Sequence, residues 1–102
     1  MVSNLSIKSE YLQMLLDVFN AYCPKATIWA YGSRLGGDFH DGSDLDLAVI
    51  DFRDEKCSLG ELKSLLSDSD IPFLVDVVEY SNLPDIFQKE ILKNYIEIYP
   101  AK

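Results

Sequence analysis

The sequence predicts a small α/β domain of the α+β kind, in which helices pack on a small mixed β-sheet. Apolar residues at helical spacing alternate along the chain with short runs rich in β-branched and aromatic residues. The 102 residues are 48% hydrophobic, which suits a single core, and 25% charged, an ordinary globular balance. The predicted order is helix, strand, short helix, strand, helix, strand and helix, with a short strand at the C-terminal end.

The first helix is predicted over residues 9–22. Its apolar side chains fall at positions i, i+3, i+4 and i+7, namely Leu12, Leu15, Leu16 and Phe19. Pro24 ends this helix, because the residue before a proline is disfavoured in helical backbone. Residues 27–31 are then predicted as a short strand that ends at the Gly32-Ser33 turn.

A polar, glycine-containing segment separates this strand from the next one. Residues 33–37 are predicted to form one or two helical turns with Ser33 as the N-cap, and residues 38–43 a loop. Residues 44–52 alternate Asp-Leu-Asp-Leu and then become apolar. This pattern predicts a strand whose first part has a solvated face and whose later part is buried.

The second half of the chain opens with a capping box. Ser58 is followed three residues later by Glu61, at the start of a helix with leucines at helical spacing. Residues 73–80 form the strongest predicted strand. They are nearly all apolar, as expected of an interior strand covered on both faces.

The C-terminal part is predicted to hold one more helix and one more strand. The helix begins at Asn82 or Leu83, with Pro84 in its first turn, where the missing N–H does no harm. Asn94 suits a left-handed helix end. Residues 96–99 alternate apolar and polar, which predicts a short edge strand.

Composition and charge argue against several classes of protein. The formal net charge of −8 disfavours unaided binding to nucleic acid, because phosphates would meet a repulsive surface. No apolar run approaches the roughly 20 residues of a membrane span, and no signal-peptide layout is present. A single cytoplasmic domain over residues 1–102 is therefore expected. Cys23 and Cys57 lack metal-ligand spacing and are expected to be reduced thiols.

The segment 31–47 carries the strongest functional signal. Its Gly32-Ser33 turn offers backbone N–H groups that suit phosphate oxygens. Asp44 and Asp46 are separated by one residue, so in a strand both carboxylates point to the same face. Two like charges this close repel each other unless a cation lies between them. Phosphate donors beside a divalent-cation site are the layout that a nucleotide-binding site needs.

Asp76 supplies a third carboxylate, inside the apolar run 73–78. An unpaired carboxylate buried there would lose its charge or destabilise the fold, so a cation shared with Asp44 and Asp46 is a natural partner. Mg²⁺ takes oxygen ligands and is often completed by substrate phosphates. Each feature alone also has a plainer explanation, namely a solvated strand face, an ordinary turn, or a structural carboxylate paired with an arginine or lysine.

Together these residues resemble the minimal nucleotidyltransferases, single-domain members of the DNA polymerase beta-like nucleotidyltransferase superfamily. Gly32-Ser33, ten intervening residues and Asp44-Leu45-Asp46 match the glycine-serine-x10-aspartate-x-aspartate signature of that family. The resemblance covers essentially the whole chain, through Asp76 to the closing segment 94–99. Many relatives carry a basic residue where this chain has Gly36. The resemblance implies the nucleotidyltransferase fold.

The resemblance also implies an activity, the Mg²⁺-dependent transfer of a nucleoside monophosphate to a hydroxyl with release of pyrophosphate. It favours AMP from ATP, with two Mg²⁺ ions. The implied catalytic and metal-binding residues are Asp44, Asp46 and Asp76. The implied nucleotide-binding residues are Gly32, Ser33, Arg34 and Ser43. Within these sets, Gly32 and Ser33 hold the β- and γ-phosphates, and Asp76 acts as the base.

A partner is implied as well. Minimal family members commonly act with a separately encoded helical protein of the HEPN class. In a toxin–antitoxin pair they can be the antitoxin, which transfers AMP to a tyrosine of the toxin. Two other interpretations stay open: transfer to a small-molecule hydroxyl, as in aminoglycoside-modifying relatives, and a non-catalytic acidic module that neutralises a basic partner. A homodimer or a hetero-oligomer is compatible with the sequence.

Overall fold

A computed structural model describes residues 7–32 and 44–100 of the chain. These residues form three α-helices, four strands and one 3₁₀ turn. In chain order the elements are α1 (Ser9–Tyr22), β1 (Thr27–Tyr31), β2 (Leu45–Asp51), α2 (Leu59–Ser67), β3 (Val75–Glu79), the 3₁₀ turn (Tyr80–Asn82), α3 (Asp85–Lys93) and β4 (Tyr95–Tyr99). The predicted α+β class is confirmed. The short helix predicted over residues 33–37 lies outside the described residues.

The four strands form one mixed sheet in the order β3-β2-β1-β4. β2 runs parallel to β3, whereas β1 runs antiparallel to β2 and to β4. β4 lies at an edge, as the sequence predicts. The prediction of an interior strand over residues 73–80 is wrong, because β3 is shorter and forms the opposite edge. Leu74, just before it, is 72% exposed.

One face of the sheet packs on α1 and α2 to form the core. Leu15 and Phe19 of α1 and Leu62 of α2 meet alternate residues of β1 and β2 there, all fully buried. The strand residues in this core are Ile28, Ala30, Leu45, Leu47 and Val49. Because side chains alternate along a strand, the residues between them point to the other face. We call this the second face; it carries Trp29, Tyr31, Asp46 and Asp76.

The N-terminus of α2 is capped through a network that also contacts α1. Ser58 Oγ accepts a hydrogen bond from the Glu61 N–H at 3.3 Å, which confirms the predicted N-cap. The Ser58 N–H donates to Tyr22 Oη at 2.8 Å, and the Tyr22 hydroxyl donates to Glu61 Oε2 at 2.9 Å. A tyrosine of α1 therefore takes the place of Glu61 in the return half of the predicted capping box.

The ends of α3 differ from the prediction. The helix begins at Asp85 rather than at Asn82 or Leu83, because residues 80–82 form the 3₁₀ turn and Pro84 occupies the N-cap. Asn94 is not left-handed: its φ of −159° and ψ of 101° are extended, because the chain passes directly into β4. Within the described residues, no helix is a candidate membrane span.

We expect Ser58→Ala to lower the free energy of unfolding by about 1 kcal/mol, because the substitution removes the side-chain oxygen that caps α2. Chemical denaturation measures this change. Ser64→Ala, at an exposed position inside the same helix, is the control and should be neutral or slightly stabilising, since alanine favours helix. Equal losses in both variants would contradict the capping role.

Candidate functional site

The parallel pairing of β2 with β3 brings two of the predicted site residues together. Asp46 and Asp76 are direct partners in the register of the two strands, next to the pair formed by Leu45 and Val75. Partners in a parallel pair point to the same face of the sheet. Asp44 lies two residues before Asp46, just outside β2, and is exposed. The three predicted carboxylates therefore occur at one end of the β2–β3 pair.

The electrostatic state of Asp46 reports the proximity of the other two carboxylates. Partial burial raises the pKa of Asp46, and the charges of Asp76 and then Asp44 raise it further. The expectation that Asp76 is the buried member is wrong, because its position on the edge strand leaves it exposed. Burial falls instead on Asp46, in a strand that has neighbours on both sides.

The donor set suits a hard divalent cation, although it is not gathered into a closed cage. Carboxylate oxygens are the ligands that Mg²⁺ prefers, and the mutual repulsion around Asp46 is what a cation would relieve. In the part of the chain that the structure describes, no three Asp, Glu, His or Cys side chains are close enough to hold a metal ion as they stand. Like charges without a cation between them are expected to stay apart.

Gly32 packs directly against the Asp46 carboxylate. Its φ of +90° is a conformation that side-chain-bearing residues rarely adopt. A Cβ atom placed on Gly32 would overlap Asp46 Oδ2 and lie 3.2 Å from Asp46 Cγ. Only glycine allows the turn after β1 to come this close to the carboxylate, so the predicted phosphate-binding turn and the predicted metal ligand are in contact.

Tyr31 forms an aromatic wall beside the carboxylates. It is the partner of Asp46 in the β1–β2 register, so Asp76, Asp46 and Tyr31 lie in a row across three strands. Burial, followed by the charges of Asp46 and Asp76, raises the pKa of Tyr31 to about 12. The phenol therefore stays protonated at neutral pH and remains available as a hydrogen-bond donor.

Phe87 of α3 completes this wall, and sequence reasoning did not connect it with the site. Its ring meets the Tyr31 ring edge-on, with centroids 6.4 Å apart and planes at 89°. The contact arises from the path of α3 over the second face. No spacing in the sequence signals that path.

Three predicted nucleotide-binding residues lie outside the described residues. They are Ser33, Arg34 and Ser43. Their assignment stays a prediction that rests on the signature, whereas Gly32 and the three aspartates have the described positions given above.

Comparison with known proteins gives two matches. The sequence profile of the family described as polymerase beta, nucleotidyltransferase matches residues 13–102. The chain is also 35% identical over 97 residues to a probable protein adenylyltransferase, MntA, of Haemophilus influenzae. That alignment covers 94% of this chain and 85% of the relative. Both matches include Gly32, Asp44, Asp46 and Asp76 in the profile range or the aligned length.

We expect Gly32→Ala to destabilise the protein by about 1–3 kcal/mol, because an L side chain at this backbone conformation is strained and its Cβ would displace the Asp46 carboxylate. Gly60→Ala is the matched control. Gly60 lies in α2 with nothing within 4 Å of the added Cβ, and alanine there should stabilise by up to about 1 kcal/mol. Denaturant unfolding compares the two, and a Gly32→Ala protein as stable as its parent would disprove the close approach.

We expect Asp46→Asn to stabilise the metal-free protein at neutral pH. An acid whose pKa is raised by folding weakens the folded state once it ionises, and that loss is recovered as the pH falls through the folded pKa. The advantage of the variant in EDTA should therefore shrink towards acidic pH. Thermal unfolding across pH measures it, with Asp70→Asn, an exposed site beyond α2, as the control. A constant difference between variant and parent at all pH values would contradict this electrostatic account.

Proposed function

The chain belongs to the polymerase beta nucleotidyltransferase family and is a nucleotidyltransferase, and we propose that it transfers AMP from ATP to a hydroxyl group of a partner protein. The observation that carries the proposal is the alignment of Asp46 with Asp76 beside the glycine turn. It supports the placement of a metal–triphosphate complex against two adjacent carboxylates, with a turn next to them for the phosphate tail.

In this proposal each residue of the site has a binding role. Asp44 and Asp46 hold the Mg²⁺ that accompanies the triphosphate, and both share a second Mg²⁺ with Asp76. The backbone N–H groups of Gly32 and Ser33 hold the β- and γ-phosphates. Bound Mg²⁺ supplies positive charge that stabilises the entering and the leaving oxygen of an in-line displacement. Arg34 and Ser43 are proposed as further contacts to the nucleotide.

The transfer itself is a single displacement at phosphorus. The acceptor hydroxyl gives its proton to the Asp76 carboxylate, and its oxygen forms a new bond to the α-phosphorus. The bond between the α-phosphorus and the bridging oxygen to the β-phosphorus breaks, and that electron pair leaves with pyrophosphate. Asp76 is suited to this task because, as an exposed residue on the edge strand, it is accessible to an acceptor from solvent.

A protein acceptor is supported by the relative that is described as a probable protein adenylyltransferase. Following the family resemblance, the acceptor is a tyrosine of a separately encoded helical protein of the HEPN class, and the chain is the antitoxin of a cytoplasmic toxin–antitoxin pair. Incubation with labelled ATP, Mg²⁺ and a lysate of the source cells tests this. Label on a small helical protein agrees with it, whereas label only on small molecules favours the aminoglycoside-like alternative.

A non-catalytic acidic module remains the rival from another class. The net charge of −8 would suit a basic partner without any chemistry. The two functions differ in their need for metal. Binding of the partner that is unchanged by EDTA, together with absent Mg²⁺-dependent ATP binding, would favour the module.

We expect Asp46→Asn and Asp76→Asn each to lower AMP transfer by about a hundredfold or more, because each removes a carboxylate that holds a metal beside the reacting phosphorus. Asp51→Asn is the matched control, at the other end of β2. An asparagine there can still accept the hydrogen bond that the Arg53 N–H donates to Asp51 Oδ1 at 2.9 Å. Transfer of labelled AMP measures all three. Full activity in either site variant would refute the assignment of that carboxylate.

A further inference from the structure

A pocket of about 280 Å³ opens beside the carboxylates, between the end of β1 and the last turns of α3. It is lined by Tyr31, Gly32, Phe87, Glu90, Ile91 and Asn94. Tyr31 and Gly32 thus belong both to this pocket and to the site described above. The remaining lining residues all come from α3 and its C-cap, which the catalytic scheme does not use.

The pocket has the composition of a site for a planar ring. Tyr31 and Phe87 meet edge-on and present two aromatic surfaces at a right angle, and Ile91 is buried next to them. Phe87 is nevertheless 47% exposed, a large uncovered fraction for an aromatic side chain. Two polar residues, Glu90 and Asn94, stand beside this apolar corner. Apolar walls with a few polar groups are typical of small-molecule sites.

The position of the pocket indicates which substrate enters it. The row across the sheet runs from Asp76 through Asp46 to Tyr31, so the pocket and Asp76 are on opposite sides of Asp46. In the proposed transfer, the acceptor approaches at Asp76 and the nucleotide lies on the side of Gly32. The pocket is therefore on the nucleotide side.

We propose that this pocket binds the nucleobase of the nucleotide substrate, with Tyr31 and Phe87 in contact with the ring and Glu90 and Asn94 at its polar edge. The proposal rests on the proposed transfer function and names the part of the chain that selects the base. An aromatic surface contributes affinity for any base, because every base has a π-face. Selection comes from the polar edge.

The polar edge favours a base with an exocyclic amino group. A carboxylate accepts hydrogen bonds and repels a carbonyl oxygen, whereas the amide of Asn94 both donates and accepts. One oxygen of Glu90, Oε1, is 3.0 Å from Lys93 Nζ, and a carboxylate has a second oxygen for the base. Adenine offers an amino group with adjacent ring nitrogens, and so matches this pair.

The first test compares two ligands of the Mg²⁺-loaded protein by calorimetry, ATP and inorganic tripolyphosphate. Phe87→Ala should weaken ATP binding about tenfold and leave tripolyphosphate binding unchanged, because only ATP carries a ring. Ile86→Ala is the matched control, since Ile86 is the adjacent residue, is 79% exposed and does not line the pocket. Denaturant unfolding of both variants verifies that each is folded.

The outcomes separate this proposal from the proposed function. If Asp46→Asn abolishes Mg²⁺-dependent ATP binding while Phe87→Ala binds ATP as Ile86→Ala does, the transfer function stands and the pocket assignment is overturned. If Phe87→Ala instead raises only the concentration of acceptor protein that half-saturates transfer, the pocket serves the acceptor and the assignment is again overturned. If the parent protein binds neither ATP nor tripolyphosphate, both proposals fall.

The second test addresses the polar edge through ITP, which differs from ATP by a carbonyl in place of the amino group. The parent protein should bind ATP about tenfold more tightly than ITP, and Glu90→Gln should remove most of this preference, because an amide can also donate to the carbonyl. Lys93→Gln breaks the same ion pair without changing the pocket carboxylate, and should keep the preference. Equal binding of ATP and ITP by the parent would overturn the role of Glu90.

Discussion

The parallel pairing of β2 with β3 is the constraint on which the rest of the site depends. It places Asp46 and Asp76 side by side at a strand spacing of about 5 Å, and backbone hydrogen bonds hold them there against their repulsion. The core residues of the same strands, Leu47 and Val77, anchor this register from the other face. The energy of an apolar core thus maintains a cluster of like charges, which is the condition for attracting a divalent metal with its phosphates.

The sequence was informative wherever a pattern is local. The spacing of leucines predicts α1 over its full extent, and the hydroxyl of Ser58 predicts the cap of α2. The Asp-Leu-Asp alternation at 44–46 correctly places Asp46 on the face opposite to the leucines. Each of these features involves residues only a few positions apart, so no knowledge of the tertiary arrangement is needed.

Prediction failed where the answer depends on the neighbours of an element. An apolar run such as 73–80 has the same composition whether it lies inside a sheet or at its edge, and β3 lies at the edge. Asn94 was expected to be left-handed, but the immediate start of β4 requires an extended backbone. Phe87 was expected to face inward, yet much of its ring is uncovered beside Tyr31. Helix packing and strand order, which decided these cases, are set by distant parts of the chain.

The edge position of β3 also gives the two facing carboxylates different mechanical properties. The backbone at Asp46 is bonded to a strand on each side, whereas the backbone at Asp76 is bonded on one side only. Mg²⁺ tolerates little departure from octahedral geometry, with ligand distances of about 2.0–2.1 Å. One stiff ligand and one compliant ligand can meet that demand with a small shift of the outer strand, so the exactness of the metal geometry need not be built into the empty protein.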